Sequence, residues 1–209
     1  MKGLLERIRP AALPTADAGP ETFFFSTAFA DQGVDGSSLV PWEARANEVG
    51  AKRLAAGRGA KLLQQLWSRD KYMAQLGPKG LQRLEGYLDF ATLPANRDVI
   101  RQDEFSNFML ILLSGSIAVD REQPWGERLH LTEARPGEIL GEMSLLDSGP
   151  RFSICTSLTD CEIGVLGAQA LDEMMRADPA LAAGLVALLA RKLSRRMRVV
   201  SARLSENRR

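Results

Sequence analysis

Gly137-Glu-Ile-Leu-Gly-Glu-Met-Ser-Leu-Leu-Asp-Ser-Gly-Pro-Arg-Phe-Ser153 is the stretch that decides how this chain is read. It puts Gly141, the carboxylate of Glu142 and the cation of Arg151 on one short segment, which its pattern predicts to run strand–turn–strand. A glycine beside a carboxylate lets backbone amides approach an anion while the carboxylate accepts from a hydroxyl. An arginine nine residues on can clamp a phosphate through its planar fork of donors. A ligand that needs all three groups is a phosphorylated ribose.

Outward from this stretch, residues 90–167 keep a period of two. Val99-Ile-Arg-Gln, Met109-Leu-Ile-Leu-Leu, Ser116-Ile-Ala-Val, Arg128-Leu-His-Leu and Glu162-Ile-Gly-Val-Leu are short apolar runs separated by turn residues. Regular short strands of this kind predict a β-barrel or sandwich. Residues 51–89 read as a helical lead-in, with Leu62, Leu63, Leu66 and Trp67 on one face. Gly77-Pro78 then opens a second helix carrying Leu81, Leu84 and Leu88. Residues 168–209 are helical again, broken at Asp178-Pro179. There Leu185, Leu189, Leu193, Met197, Val200 and Leu204 form a stripe that predicts a long amphipathic helix. Residues 1–50 mix prolines and glycines without a sustained period and read as a poorly ordered arm. Phe23, Phe24, Phe25 and Phe29 within it have two readings: packing on the body of the same chain, or docking on another protein.

The quoted stretch resembles the phosphate-binding cassette of cyclic nucleotide-binding domains, roughly Phe-Gly-Glu-x-Ala/Ser-Leu, a short loop, then Arg-x-Ala. Gly141, Glu142, Ser144, Leu145 and Arg151 match, with Leu140 in place of Phe and Ser153 in place of Ala. Leu113-Ser114-Gly115 matches the end of an apolar strand in the same family. Two turn glycines of the family are replaced by Asn96 and Asp103, the residue types that best tolerate left-handed backbone angles. From Cys161 onward the chain is similar to bacterial catabolite-activator-type proteins, and the resemblance runs from about Leu76 to Leu204. It implies an α+β fold: N-terminal helices, a cyclic nucleotide-binding β-barrel of the double-stranded β-helix or jelly-roll type, and a long C-terminal helix acting as lid and dimer contact.

The resemblance also implies roles. Arg151 would hold the cyclic phosphate and Glu142 would accept from the ribose 2′-hydroxyl. The backbone amides of Glu142, Met143 and Ser144 would face the phosphate as a small nest. Phe152 replaces a residue that is often Ser, Thr or Ala, so only its amide is offered, and Ser153 follows it. On the long helix Arg196 falls where the catabolite activator reads adenine. The bland alternatives are a surface arginine at 151, a Glu142 that merely pairs with Arg151, a Ser144 that is only small, and a solvated Arg196. Arg151 is read as an exposed pocket residue whose loss the fold survives. Ile154 stands where cGMP-selective members carry a hydroxyl, so cAMP is expected over cGMP. A cyclic dinucleotide is the further alternative ligand.

Composition bounds other functions. The chain has 209 residues, a 45% hydrophobic share and a net charge of +1, so no global field points to nucleic acid or membrane. There is no apolar run of membrane-spanning length and the start has too short an apolar core for a secretory signal. A cytoplasmic location is therefore expected, with Cys155 and Cys161 reduced and buried. With His130 alone beside two cysteines, no metal site is expected, and no catalytic constellation is read. The chain stops five residues past Leu204, without room for a helix-turn-helix, so no sequence-specific DNA binding is expected. The basic tail, Arg191, Lys192, Arg195, Arg196, Arg198, Arg203, Arg208 and Arg209 against Glu206, reads most simply as a solubilising helix face. The expected function is a non-enzymatic cyclic nucleotide sensor. It would act through a homodimer on the long helix and through a protein partner. The alternative is an interaction module that keeps the barrel without a ligand.

Overall fold

The apolar run at Phe108–Ser114 is buried on both faces, and that fixes the layering of the molecule. Strand side chains alternate between faces, and here each face enters its own core. Phe108, Leu110 and Leu112 join Leu93, Val99, Ile117, Ile163 and Val165 inside the barrel. Met109, Ile111 and Leu113 join Leu63, Trp67, Leu84, Leu171 and Leu185 beneath the helices. A strand covered on both sides reads as a continuous apolar run, not an alternating one.

A computed structural model describes residues 23–206, with side chains to residue 202. In chain order the elements are α1 (Phe24–Asp31), α2 (Trp42–Val49), β1 (Lys52–Arg53), α3 (Ala56–Trp67), α4 (Gly77–Leu84), β2 (Asp89–Leu93), β3 (Asp98–Ile100), β4 (Phe108–Ser114), β5 (Ile117–Glu122), β6 (Arg128–Ala134), β7 (Ile139–Leu140), α5 (Glu142–Asp147), β8 (Ile154–Ser157), β9 (Cys161–Gly167), α6 (Ala168–Ala177) and α7 (Pro179–Glu206). Two antiparallel sheets, ordered β1-β2-β9-β4-β7 and β3-β8-β5-β6, make the jelly-roll barrel. The expected left-handed turns are present, with φ of 59° at Asn96 and 63° at Asp103. The helix break falls where expected: α6 ends before Asp178, whose carboxylate accepts from the Leu181 amide at 3.2 Å. At Gly59 α3 lies against the barrel too closely for a side chain, since a Cβ there would fall 2.2 Å from Phe90 Cδ1.

The structure corrects the sequence reading in three places. Residues 23–50 are folded, not a poorly ordered arm; residues 1–22 lie outside the described residues. Helices of eight residues leave little periodicity to read, and these two are held by tertiary contacts. The buried Asp172 carboxylate caps α1, accepting from the Phe25 and Ser26 amides at 2.9 Å each, and Phe25 and Phe29 are buried. The choice between self-packing and docking is settled for those two rings in favour of the chain's own body, while Phe24 stays exposed. Trp42 of α2 meets the Phe108 ring edge-on at 5.5 Å. Second, the lead-in contains a strand, β1, which pairs with β2. Third, the decisive stretch is not strand–turn–strand, because α5 folds between β7 and β8. Leu204 and the last basic residues of the predicted stripe and tail lie outside the described side chains.

Candidate functional site at the β7–α5–β8 segment

Gly141 is the pivot of the segment. Its φ of 76° lies in the left-handed region, and a Cβ would collide with the Arg151 guanidinium and come within 2.9 Å of Ile100 Cδ1. Only glycine meets both demands. The chain turns there into α5, so the amides of Glu142, Met143 and Ser144 are the first-turn amides of a helix, which have no intrahelical partner and no side-chain cap here. Ser144 is buried, whereas Met143 is exposed.

Arg151 is not the exposed residue the sequence suggests. It is 1% exposed, among the largest side chains the fold encloses. Its Nε donates to Ser106 Oγ at 2.6 Å, Nη1 to the Gly141 carbonyl at 2.6 Å and Nη2 to the Phe108 carbonyl. Its guanidinium carbon lies 4.8 Å from the centre of the Phe108 ring. A guanidinium has five N–H groups, so two remain for an anion. Burial pushes its pKa down to about 10, opposed by nearby acidic groups including Glu142 and Glu104. The group is therefore charged at neutral pH. The reason for its burial is topological. The residues that receive it, Ser106 and Phe108, lie more than forty positions earlier, at the entry to β4.

Glu142 is also buried, at 6% exposure. It does not pair with Arg151, as the bland alternative had it. Arg196 Nη1, from the middle of α7, lies 2.7 Å from Glu142 Oε1. Burial pushes the Glu142 carboxyl above the ordinary carboxylate range, opposed by the charges of Arg196, Arg151 and Lys192. Arg196 thus belongs to the same constellation as Gly141, Glu142 and Arg151. Phe152 is exposed, stacked under the Arg121 guanidinium at 4.1 Å, while its carbonyl accepts from Arg121 Nη1 at 2.5 Å. Ser153 is half-buried, and burial pushes the pKa of the nearby Cys155 thiol up to about 12. Both cysteines are free and buried.

The basic face of α7 carries specific contacts that the sequence reading missed. Arg191 Nη1 donates to Gln75 Oε1 at 3.0 Å, Lys192 Nζ to Asp70 at 2.9 Å and Arg195 Nη1 to the Tyr72 hydroxyl at 3.0 Å. With Arg196 on Glu142, one side of the helix is fastened to the lead-in and to α5. Beyond it Met197, Val199 and Val200 are exposed. No helix among the described residues is long and apolar enough to cross a membrane. No cluster of three His, Cys, Asp or Glu side chains among them could hold a metal.

Residues 90–178 match the family model of the cyclic nucleotide-binding domain. This part of the chain is a cyclic nucleotide-binding domain. The domain is similar to the CRP-like cAMP-activated global transcriptional regulator of Mycobacterium tuberculosis, 28% identical over 132 residues, covering 60% of this chain and 59% of that protein. It is similar also to the cyclic AMP receptor protein of Thermus thermophilus, 30% identical over 118 residues, with 56% and 55% covered. The chain thus spans somewhat under three fifths of the length of these curated relatives. Among solved structures, a cyclic nucleotide-binding domain from Methylobacillus flagellatus superposes with a TM-score of 0.67 at 21% identity, covering 73% of this chain and 86% of that one. The last likeness bears on the fold alone.

Proposed function

We propose that the domain is a non-enzymatic sensor that binds cAMP in preference to cGMP at the β7–α5–β8 cassette and signals through α7. The observation that carries this reading is the pair of buried charges next to Gly141, Arg151 and Glu142, with α7 reaching one of them through Arg196. Burying a charge is costly unless it is paired and hydrogen-bonded. The cyclic phosphate is held by the two remaining Arg151 N–H groups and the first-turn amides of α5. The ribose 2′-hydroxyl donates to Glu142, which is where Arg196 now sits. Ligand and Arg196 therefore contend for one carboxylate, and α7 shifts because its two positions differ in ligand affinity. The base lies under α7, where Arg196 is free to stack on it. Ile154 offers no hydroxyl to a guanine amino group, which favours adenine. Exposed Met197 and Val200 beyond the fastened part of α7 support a homodimer through that helix, and the output passes to a protein partner.

A second reading, an interaction module that binds no nucleotide, is favoured by the three Arg151 donors already spent on protein oxygens. Hydrogen–deuterium exchange separates the two. With saturating cAMP, the first reading expects slower exchange over 141–153 and altered exchange over 190–202. Unchanged exchange with cAMP, cGMP and a cyclic dinucleotide alike supports the second.

A further inference from the structure

Among the described residues, two of the three largest fully buried side chains are arginines, Arg45 and Arg151, and both grip the same short segment, residues 103–108. From the cassette side, the Asp103 amide donates to the Arg151 carbonyl at 2.9 Å and the Arg151 amide to the Glu104 carbonyl at 2.8 Å. Ser106 and the Phe108 carbonyl take the Arg151 side chain. From the opposite side, residues 39–49 hold the segment. Leu39 bridges Phe105 in parallel, the Val40 amide donates to the Phe105 carbonyl at 2.9 Å, and Trp42 packs on Phe108. Arg45 Nη2 pairs with the Glu104 carboxylate, while Nη1 reaches Glu48 Oε2 at 2.7 Å.

Arg45 is an odd choice for stability alone. Its Nε is a buried donor without a partner, the only such side-chain atom found among the described residues. Leaving a buried donor unpaired costs free energy, and a buried ion pair replaced as a whole by apolar side chains of similar volume is often no less stable. An arginine that reaches Glu104 does what no apolar residue can. It ties α2 to the segment whose Ser106 hydroxyl and Phe108 carbonyl receive Arg151.

We propose that Arg45 is a positioning residue for the cassette: through Glu104 it fixes residues 103–108, and through them the orientation of Arg151 towards a ligand phosphate. The segment before the barrel, outside residues 90–178, thereby sets the affinity of the site. The proposal rests on the reading that the cassette binds a cyclic nucleotide.

The test is a double-mutant cycle in the full chain, with cAMP affinity read by calorimetry and folding by thermal melting. Arg45→Met is expected to bind cAMP ~10-fold more weakly at a temperature where thermal melting shows the variant folded, although the carboxylate of Glu104 loses a partner. A purely structural role would lower the melting temperature and leave the affinity of the folded variant unchanged. Arg45→Lys, which keeps a charge near Glu104, should recover part of the affinity, and it serves as the first variant if Arg45→Met does not fold. The pair Arg45→Met with Arg151→Lys should bind no more weakly than Arg151→Lys alone. Wild-type affinity in folded Arg45→Met, or losses that multiply in the double variant, overturns the proposal. If the wild type binds no nucleotide, the functional reading fails by itself. The positioning claim is then decided by hydrogen exchange of the Arg151 Nε–H without ligand. That exchange is expected to be at least ~10-fold faster in Arg45→Met, and an unchanged rate refutes it.

Discussion

Replacing Arg151 with alanine should damage ligand binding and the fold together, in separable amounts. A phosphate held by a guanidinium contributes charge-assisted bonds of roughly 2 kcal/mol each, about twice a neutral hydrogen bond. Loss of even one therefore predicts at least ~30-fold weaker cAMP binding. The fold loses three donors, leaving Ser106 Oγ and the carbonyls of Gly141 and Phe108 without their partner. Each buried orphan costs ~1–3 kcal/mol. Two effects act against this: relief of a buried charge, and water entering the vacated space beside three polar groups. A net loss of ~2 kcal/mol corresponds to a melting point lower by roughly 4–8 °C for a chain of this size. The assay is calorimetric titration with cAMP, run at a temperature where circular dichroism shows the variant folded. Arg151→Lys serves as the control that keeps charge but loses the planar fork. Wild-type affinity in folded Arg151→Ala would refute the phosphate assignment. An unchanged melting point would refute the structural half of the argument.

Two further outcomes follow from the same geometry. Because burial raises the Glu142 carboxyl in the folded state, its contribution to stability is present in acid and is lost as pH rises through the folded value. Glu142→Gln, which does not ionise, should gain on the wild type in melting temperature from acid to neutral pH while losing cAMP affinity; a flat or reversed difference contradicts the burial argument. Leu193→Glu with Val200→Glu should convert a dimer to a monomer in sedimentation, whereas a wild type that is monomeric at micromolar concentration, with and without cAMP, removes the dimer from the account.

The barrel was legible in the sequence because its strands carry local signals. The apolar strand at 109–113, the left-handed Asn96 and Asp103, and the break at Asp178-Pro179 each follow from residue type alone, whereas the burial of that strand on both faces departs from the period of two expected there. The cassette residues were legible by their spacing, but their burial was not. Arg151 is enclosed by Ser106 and Phe108 and Glu142 is met by Arg196, partners 43 to 54 positions distant that leave no local pattern. The same holds for α1, whose N-terminus is capped by Asp172 from 147 positions away. Arg191, Lys192 and Arg195 read as solubilising charges because their partners, Gln75, Asp70 and Tyr72, are more than a hundred positions earlier.

The central claim, that a cyclic nucleotide is held with its ribose on Glu142 and its phosphate on Arg151, is tested most directly by calorimetric titration of the chain with cAMP and with 2′-deoxy-cAMP. The account predicts saturable binding of one cAMP per chain and at least ~10-fold weaker binding of the deoxy analogue, which cannot donate to the carboxylate. No heat with cAMP, or equal affinity for the two, contradicts it.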